Sequence, residues 1–417
     1  MNFEKIESAR LGEVLYKGEH ESGLKVYVIP KKFKKSYASF ATKYGSVDSE
    51  FEGVVVPDGI AHFLEHKLFE KEDGSDAFAD YAKTGASANA YTSFNLTAYL
   101  FSSTDRFYEN LDILFETVTR PHFTPENVQK EQGIIGQEIR MYDDNPDWRV
   151  FFNFLDALYY NHPVKKDIAG TVDTIAEIDS EILYKCYGTF YHPSNMAFFA
   201  AGDVDLDKIS AKVDKWVVGA KKPEIDRIYP EEPAGVRLAI AEQKLSVAAP
   251  IFLMGFKDAD VGYDGKVLLK KEIVTVLALE MLFSRSGKLY RDLYEQGLIN
   301  DTFGQDYTAE KDYAFSTFGG ESPDPIRVRD IVMDAINNFE LTEKALETAK
   351  GVVIGKFLRM FNGIERMGNN FIANVFKDIN VFDYPEICDE VQLSEVANRI
   401  NKHFTKENMA ISIIYPY

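Results

Sequence analysis

Apolar residues run together or alternate in four short stretches of the first half of the chain. They are KVYVIP within 25–31, SYASFATKYGSV at 36–47, LTAYLFSS at 96–103 and NMAFFAAGDV at 195–204. Each is rich in β-branched and aromatic residues and predicts a strand. Between them, apolar positions recur at helical spacing over about 58–84, 104–120, 124–143 and 172–188. SVAAPIFLMGF at 246–256 is the longest apolar run. It falls short of the 18 or so residues that span a bilayer and predicts a buried strand. The stretch GAKKPEIDRIYPEEPAG at 219–235 has three prolines, alternating charge and no apolar period, so it predicts a linker.

The pattern recurs after that linker. Tyr91-Thr92 followed by LTAYLFSS matches Tyr307-Thr308 followed by KDYAFSTFGGES. Phe123-Thr124-Pro125-Glu126, opening a helix, matches Glu340-Leu341-Thr342-Glu343. A common offset of roughly 216 to 218 residues predicts a tandem duplication. The expected domains are 1–220 and 236–417, joined by 221–235, in a chain whose 417 residues exceed one ordinary domain.

A formal charge of -19 disfavours nonspecific attraction to nucleic acid or anionic membrane. The two cysteines, Cys186 and Cys388, lie far apart and exclude a disulfide framework or a cysteine metal site. The mixed-charge N-terminal stretch lacks the apolar core of a signal peptide, so a cytoplasmic chain is expected.

The chemistry concentrates in His62-Phe63-Leu64-Glu65-His66, an H-x-x-E-H arrangement of the inverted-zincin kind. On a helix, positions 62, 65 and 66 fall within roughly a 100° arc, so all three side chains reach one metal-sized point. Catalytic zinc takes three protein ligands and leaves a position open, so a third ligand must come from elsewhere. The helix expected at 124–143 is the source, with Thr124 as cap, Pro125 in its first turn and Pro146 as its stop. Glu131, Ile135, Glu138 and Tyr142 share one face of it. Carboxylates on a partly apolar face are costly to bury unless they meet a cation or a histidine N–H. At the duplication offset, Glu131 and Glu138 correspond to Ala349 and Lys356, and the helix at 274–283 has no histidine. A metal site is therefore expected in the N-terminal copy only.

HFLEH, then GASANAYTS, then EQGIIGQEIRMYDDNP resembles the pitrilysin/insulysin family of zinc peptidases, which includes proteins like the mitochondrial processing peptidase. The resemblance covers nearly the whole chain. It implies an α+β fold of two homologous domains, each an antiparallel-rich sheet covered by helices, forming half of a clamshell. It implies one Zn2+ per chain held by His62, His66 and Glu138, with Glu65 as general base and Glu131 as the carboxylate that orients a ligand. It also implies that Asn89 and Ala90, on an edge strand, lie beside a bound peptide held by β-augmentation. The implied activity is that of a metalloendopeptidase acting on peptides or unfolded segments.

One element departs from that family. LEMLFSRSGKLYRDLYEQGLIND resembles a second-domain segment in which an arginine and a tyrosine assist substrate and oxyanion. Aligned on Gly297, those positions are Leu293 and Asn300, while Arg291 and Tyr294 lie on another helical phase. Three readings follow. A homologous partner subunit supplies the pair in a heterodimer (or a second copy forms a homodimer); another residue such as Tyr307 replaces it; or catalysis is vestigial. The alternative function is a non-catalytic peptide-binding or assembly subunit that keeps a structural zinc.

Overall fold

The four apolar runs of the first half become neighbouring strands of one sheet. In the computed structural model, which describes residues 1–222 and 224–417, nine strands precede the linker. They are β1 (Phe3–Ser8), β2 (Glu13–Glu19), β3 (Lys25–Pro30), β4 (Ser36–Thr42), β5 (Glu50–Phe51), β6 (Val54–Val55), β7 (Ser87–Thr92), β8 (Thr97–Ser103) and β9 (Met196–Gly202). Seven of them form the sheet β1-β2-β3-β9-β4-β8-β7, and β5 and β6 form a small hairpin. The β3–β9 pair is parallel and all others are antiparallel. Tyr37, Phe40, Tyr99, Phe101, Phe198 and Phe199 fill the core of this layer.

Eight helices also precede the linker: α1 (Ile60–Lys67), α2 (Ala77–Thr84), α3 (Phe107–Thr119), α4 (Pro125–Asp143), α5 (Pro146–Leu158), α6 (Val172–Ala176), α7 (Ser180–Phe190) and α8 (Leu206–Trp216). The expected helix 58–84 is two helices, because Asp73 accepts a hydrogen bond from Ser75 N–H and Gly74 takes a left-handed turn between them. The expected helix 172–188 likewise breaks where Asp179 caps α7 by accepting from Ile182 N–H. Thr124 and Asn127 cap the start of α4 reciprocally. Pro146 stops α4 as expected, and it also opens α5, a helix absent from the expected pattern, with Asn145 as its cap.

The second half repeats this order of strands: β10 (Ile240–Leu245), β11 (Ile251–Asp258), β12 (Gly304–Ala309), β13 (Ala314–Glu321) and β14 (Met409–Pro416). Their sheet runs β10-β14-β11-β13-β12, with β10 parallel to β14 and the rest antiparallel. That is the sequence β3-β9-β4-β8-β7 again, so the duplication extends to topology. Its helices are α9 (Gly265–Phe283), α10 (Lys288–Glu295), α11 (Pro325–Asn337), α12 (Glu343–Met360), α13 (Ile364–Val375), α14 (Tyr384–Glu390) and α15 (Leu393–His403). Two homologous α+β domains, each with an antiparallel-rich sheet covered by helices, are therefore present.

The compact units differ from the contiguous spans 1–220 and 236–417 in which helices they own. One unit comprises Met1–Ile139, Asp167–Ile228 and Leu358–Phe376; the other comprises Arg140–Lys166, Tyr229–Phe357 and Lys377–Tyr417. Thus α13 packs on β4 and β9, while α5 packs on β10, β11 and β14. Gly368 permits the first contact, since a Cβ there would stand 2.3 Å from the Tyr37 ring. The crossing at Ile228–Tyr229 falls within 221–235, of which Pro223 lies outside the described residues.

In the second unit, buried Asp258 receives hydrogen bonds from the Tyr307 hydroxyl at 2.7 Å and from Arg399, and Lys271 Nζ stands 3.1 Å away. Burial alone would raise its carboxyl pKa, but the Arg399 guanidinium holds it well below the usual carboxylate range. Asp258→Asn would leave Arg399 and Lys271 buried without their counter-charge. The expected loss is about 3–5 kcal/mol of stability, measured by denaturant unfolding, while an isosteric change at exposed Asp260 changes little.

Candidate metal centre

The first unit carries the motif on α1, and two features of the chain fix that helix. Gly59 at its N-terminus has φ 93°, and a Cβ there would meet the Ala169 carbonyl oxygen at 2.5 Å. Only glycine fits this turn. Phe63 and Leu64, both fully buried, anchor the opposite side of the helix in the core. His62, Glu65 and His66 are thereby turned together toward α4 and β7, as the helical spacing predicts.

One ligand atom from each of His62, His66 and Glu138 lies within 4.8 Å of the others. His66 Nε2 is 3.5 Å from one Glu138 oxygen, and His62 Nε2 is 3.9 Å from the other. Ligand atoms around a tetrahedral zinc at about 2.0–2.2 Å are separated by roughly 3.3–3.6 Å. The spacing and the donor set, two imidazoles and a carboxylate, fit such an ion. Burial, and then the neighbouring His66 charge, lower the His62 pKa to about 4. His62 is therefore a neutral imidazole, the form that binds a metal without losing a proton. Its buried Nδ1 has no hydrogen-bond partner among the described residues.

Glu131 does not join that trio. Its Oε1 is 3.1 Å from His66 Nδ1, and its Oε2 is 3.6 Å from Lys67 Nζ. Burial works against the charge on Glu131, but the His66 hydrogen bond, the His66 charge and Lys67 outweigh it and lower its pKa. On His66 burial again opposes charge, and the Glu131 hydrogen bond and surrounding carboxylates prevail, raising it. The contact to Nδ1 leaves Nε2 directed at Glu138, the arrangement in which a carboxylate fixes a ligand imidazole.

Glu65 also stays outside the trio. Its Oε2 accepts a hydrogen bond from the Thr92 hydroxyl at 2.7 Å, and burial raises its pKa. Thr92 ends β7, the outermost strand of its sheet, and α1 packs against that strand. Asn89 and Ala90 lie on the same strand, with Asn89 exposed and its Oδ1 accepting from Ala90 N–H at 2.9 Å. Tyr142, which belongs to α4 as expected, stacks on Trp148 in the second unit, with ring centroids 4.2 Å apart.

Two contributors escape sequence reasoning. Lys67, next to the motif, is wholly buried with its ammonium against Glu70 and Glu131. Its only signal was a lysine directly between the motif and the apolar pair Leu68-Phe69. Thr92 lay inside the NAYT segment, where nothing distinguished it from an ordinary strand residue.

In the second unit, Leu293 is fully buried in the apolar core and Asn300 Nδ2 donates to Glu321 at 2.7 Å. Arg291 is exposed, and Tyr294 lies against Tyr290 with rings 6.0 Å apart. Tyr307 does not supply a spare hydroxyl, because its own is buried and donated to Asp258.

Lys67→Met removes the cation that steadies one oxygen of Glu131. It is expected to weaken divalent-metal affinity about tenfold, the lower end of effects seen for groups that orient a ligand. Competition with a chromophoric chelator reads this. Glu70→Gln, which leaves Lys67 facing Glu131, should change affinity far less.

Two family descriptions match the sequence: "Insulinase (Peptidase family M16)" over residues 51–172 and "Peptidase M16 inactive domain" over 177–350. The uncharacterized zinc protease YmfH of Bacillus subtilis is 45% identical over 99% of both chains. A putative M16-like peptidase from Alicyclobacillus acidocaldarius superposes with TM-score 0.92 at 33% identity, covering 100% of this chain and 99% of that one. The periplasmic protease PqqL of Escherichia coli shares the fold, with TM-score 0.76 at 16% identity. The match takes in 99% of this chain and 48% of that longer one. No helix among the described residues is long and apolar enough to cross a membrane.

Proposed function

This chain belongs to peptidase family M16, the insulinase family, and on that premise we propose that it is a zinc-dependent endopeptidase. The observation that carries the reading is the convergence of His62, His66 and Glu138, with Glu65 beside them but outside the ligand set. His62, His66 and Glu138 would hold one zinc ion. When bound there, zinc supplies Lewis acidity toward water and toward the scissile carbonyl.

The remaining work falls to the chain's own groups. Glu65 accepts the proton of the attacking water and returns it to the leaving amine. The Thr92 hydroxyl, donating to Oε2, fixes the carboxylate so that its other oxygen faces the water. Glu131 holds the His66 ring through Nδ1, and Lys67 in turn holds Glu131. The outer edge of β7, with Asn89 and Ala90, would bind an extended peptide by backbone hydrogen bonds, orienting its carbonyl without reading its sequence.

The oxyanion donors of the family are missing at Leu293 and Asn300, and Tyr307 is engaged elsewhere. We assign that role to a homologous subunit, so that two cytoplasmic chains complete one site. Oxyanion donors each contribute on the order of a hundredfold or more to rate, so the isolated chain is expected to be slow. The same absence favours the second reading, a peptide-binding subunit that keeps its zinc as structure.

Glu65→Gln separates the two. For an endopeptidase, the variant should keep about one zinc per chain by elemental analysis while cleavage of unfolded peptides falls by about a hundred- to ten-thousandfold. A wild-type chain that binds peptides but cleaves none, even with a homologous subunit present, identifies the binding protein instead.

A further inference from the structure

The two sheets differ at one place. In the first unit the outer edge of β3 is covered by β2, which runs antiparallel to it from Tyr16↔Val28 to Glu19↔Lys25. The equivalent strand of the second unit, β10, ends its sheet. The Ala239 carbonyl accepts from Ile411 N–H on β14, so odd-numbered residues face the sheet. By the alternation of a parallel ladder, the backbone groups of Ile240, Glu242 and Lys244 face outward. All three residues are exposed, and Ile240 keeps 41% of its surface. Beside the strand lies a groove of about 680 Å³, whose lining includes Ile240, Met333, Ile336, Ile400, Phe404 and Met409.

We propose that β10 pairs antiparallel with β10 of a second copy of this chain, making a two-fold homodimer with one continuous ten-stranded sheet across the axis. The charge pattern argues for a second copy as the occupant. A two-fold register centred on Gln243 sets Glu242 opposite Lys244 of the second copy, and Lys244 opposite its Glu242. In that register the outward backbone groups of both residues meet as hydrogen-bonded pairs. Opposite charges directly across a ladder attract and like charges repel. Charged side chains on an edge ordinarily discourage pairing with an arbitrary strand. β10 carries one charge of each sign, at positions complementary only to a strand with the reverse order, such as its own antiparallel copy. Glu242 is already steadied by a hydrogen bond from Tyr415 on β14. Lys244 is exposed and makes no ion pair among the described residues, so it is available to a partner. The same register brings Ser246 of the second copy opposite Ile240, at the mouth of that groove, whose lining also includes Arg329 and Asp330. Contacts there add the buried area that an edge of six residues lacks. The inference does not depend on the peptidase reading.

Sedimentation equilibrium of the full chain tests it with two charge reversals. Wild type is expected to dimerise. Lys244→Glu and Glu242→Lys each set like charges opposite one another at both pairs, and each should weaken the dimer about thirtyfold. Mixing the two variants restores both opposite-charge pairs, so the mixture should dimerise near the wild-type constant. That recovery also shows that both variants are folded. A wild-type chain that stays monomeric at roughly 100 μM overturns the proposal. So do single reversals that dimerise like wild type, or a mixture that associates no better than its components.

Discussion

Burying ionisable groups where α1 meets α4 is the constraint on which the rest of the first unit depends. His62, His66, Glu131 and Lys67 lose most of their contact with water there. Each would be expensive to bury alone. They are tolerable together because opposite charges adjoin along the contact, Lys67 beside Glu131, Glu131 beside His66 and His66 beside Glu138, while His62 is neutral. Phe63, Leu64 and Ile135 of the same two helices are fully buried beside that contact. The same contact fixes the two imidazoles and a carboxylate within reach of a single cation. Packing and chemistry are not separable in this region, since each depends on the same two helices keeping their phase.

Helical spacing made the shared face of residues 62, 65 and 66 legible, and that of Glu131 with Glu138. Which carboxylate would be a ligand and which would support one came only from the family resemblance. Residues 62, 65 and 66 could only share a face, and Glu131 and Glu138 could only be tolerated on a partly apolar face if something cationic met them. What was not legible depends on contacts distant in sequence. Lys67 gains its role only when α4 comes alongside α1, sixty-odd residues later in the chain. Thr92 gains its role only when β7 turns its end toward Glu65. The four strands of the first half were placed close to their observed starts, because apolar runs bounded by turns carry a local signal. But 36–47 is strand only to Thr42, 246–256 only from Ile251, and β1, β2, β10 and β14 were not read. The splitting of 58–84 into α1 and α2 depended on one Asp-Gly-Ser turn, which a periodicity average passes over. Helix α5 was missed because Pro146 reads equally well as an end and as a beginning.

The duplicated halves have diverged in different ways. The first sheet carries two additional strands and a set of ionisable side chains turned toward α4. The second has filled corresponding positions with core and surface residues, Ala349 and Lys356 among them, and Lys356 is spent on an ion pair with Glu280 at 2.7 Å. Its buried charges instead form the network around Asp258, which ties β11 to β12, α9 and α15. One scaffold thus supports a cluster of metal-ligating side chains in one copy and a buried ion-pair network in the other, with the strand order unchanged.

The ownership of α5 and α13 bears on how the chain is made. Translation delivers residues 1–228 first, but the sheet they build is covered on β4 and β9 by α13, which ends at Val375. At about 5–20 residues per second, the first unit waits some ten to thirty seconds between its last strand and its last helix. During that interval Tyr27, Tyr37 and Phe199, which α13 later covers through Phe371 and Gly368, face solvent. The first unit is therefore not finished when its last strand is made, and it holds exposed aromatic surface until α13 has followed.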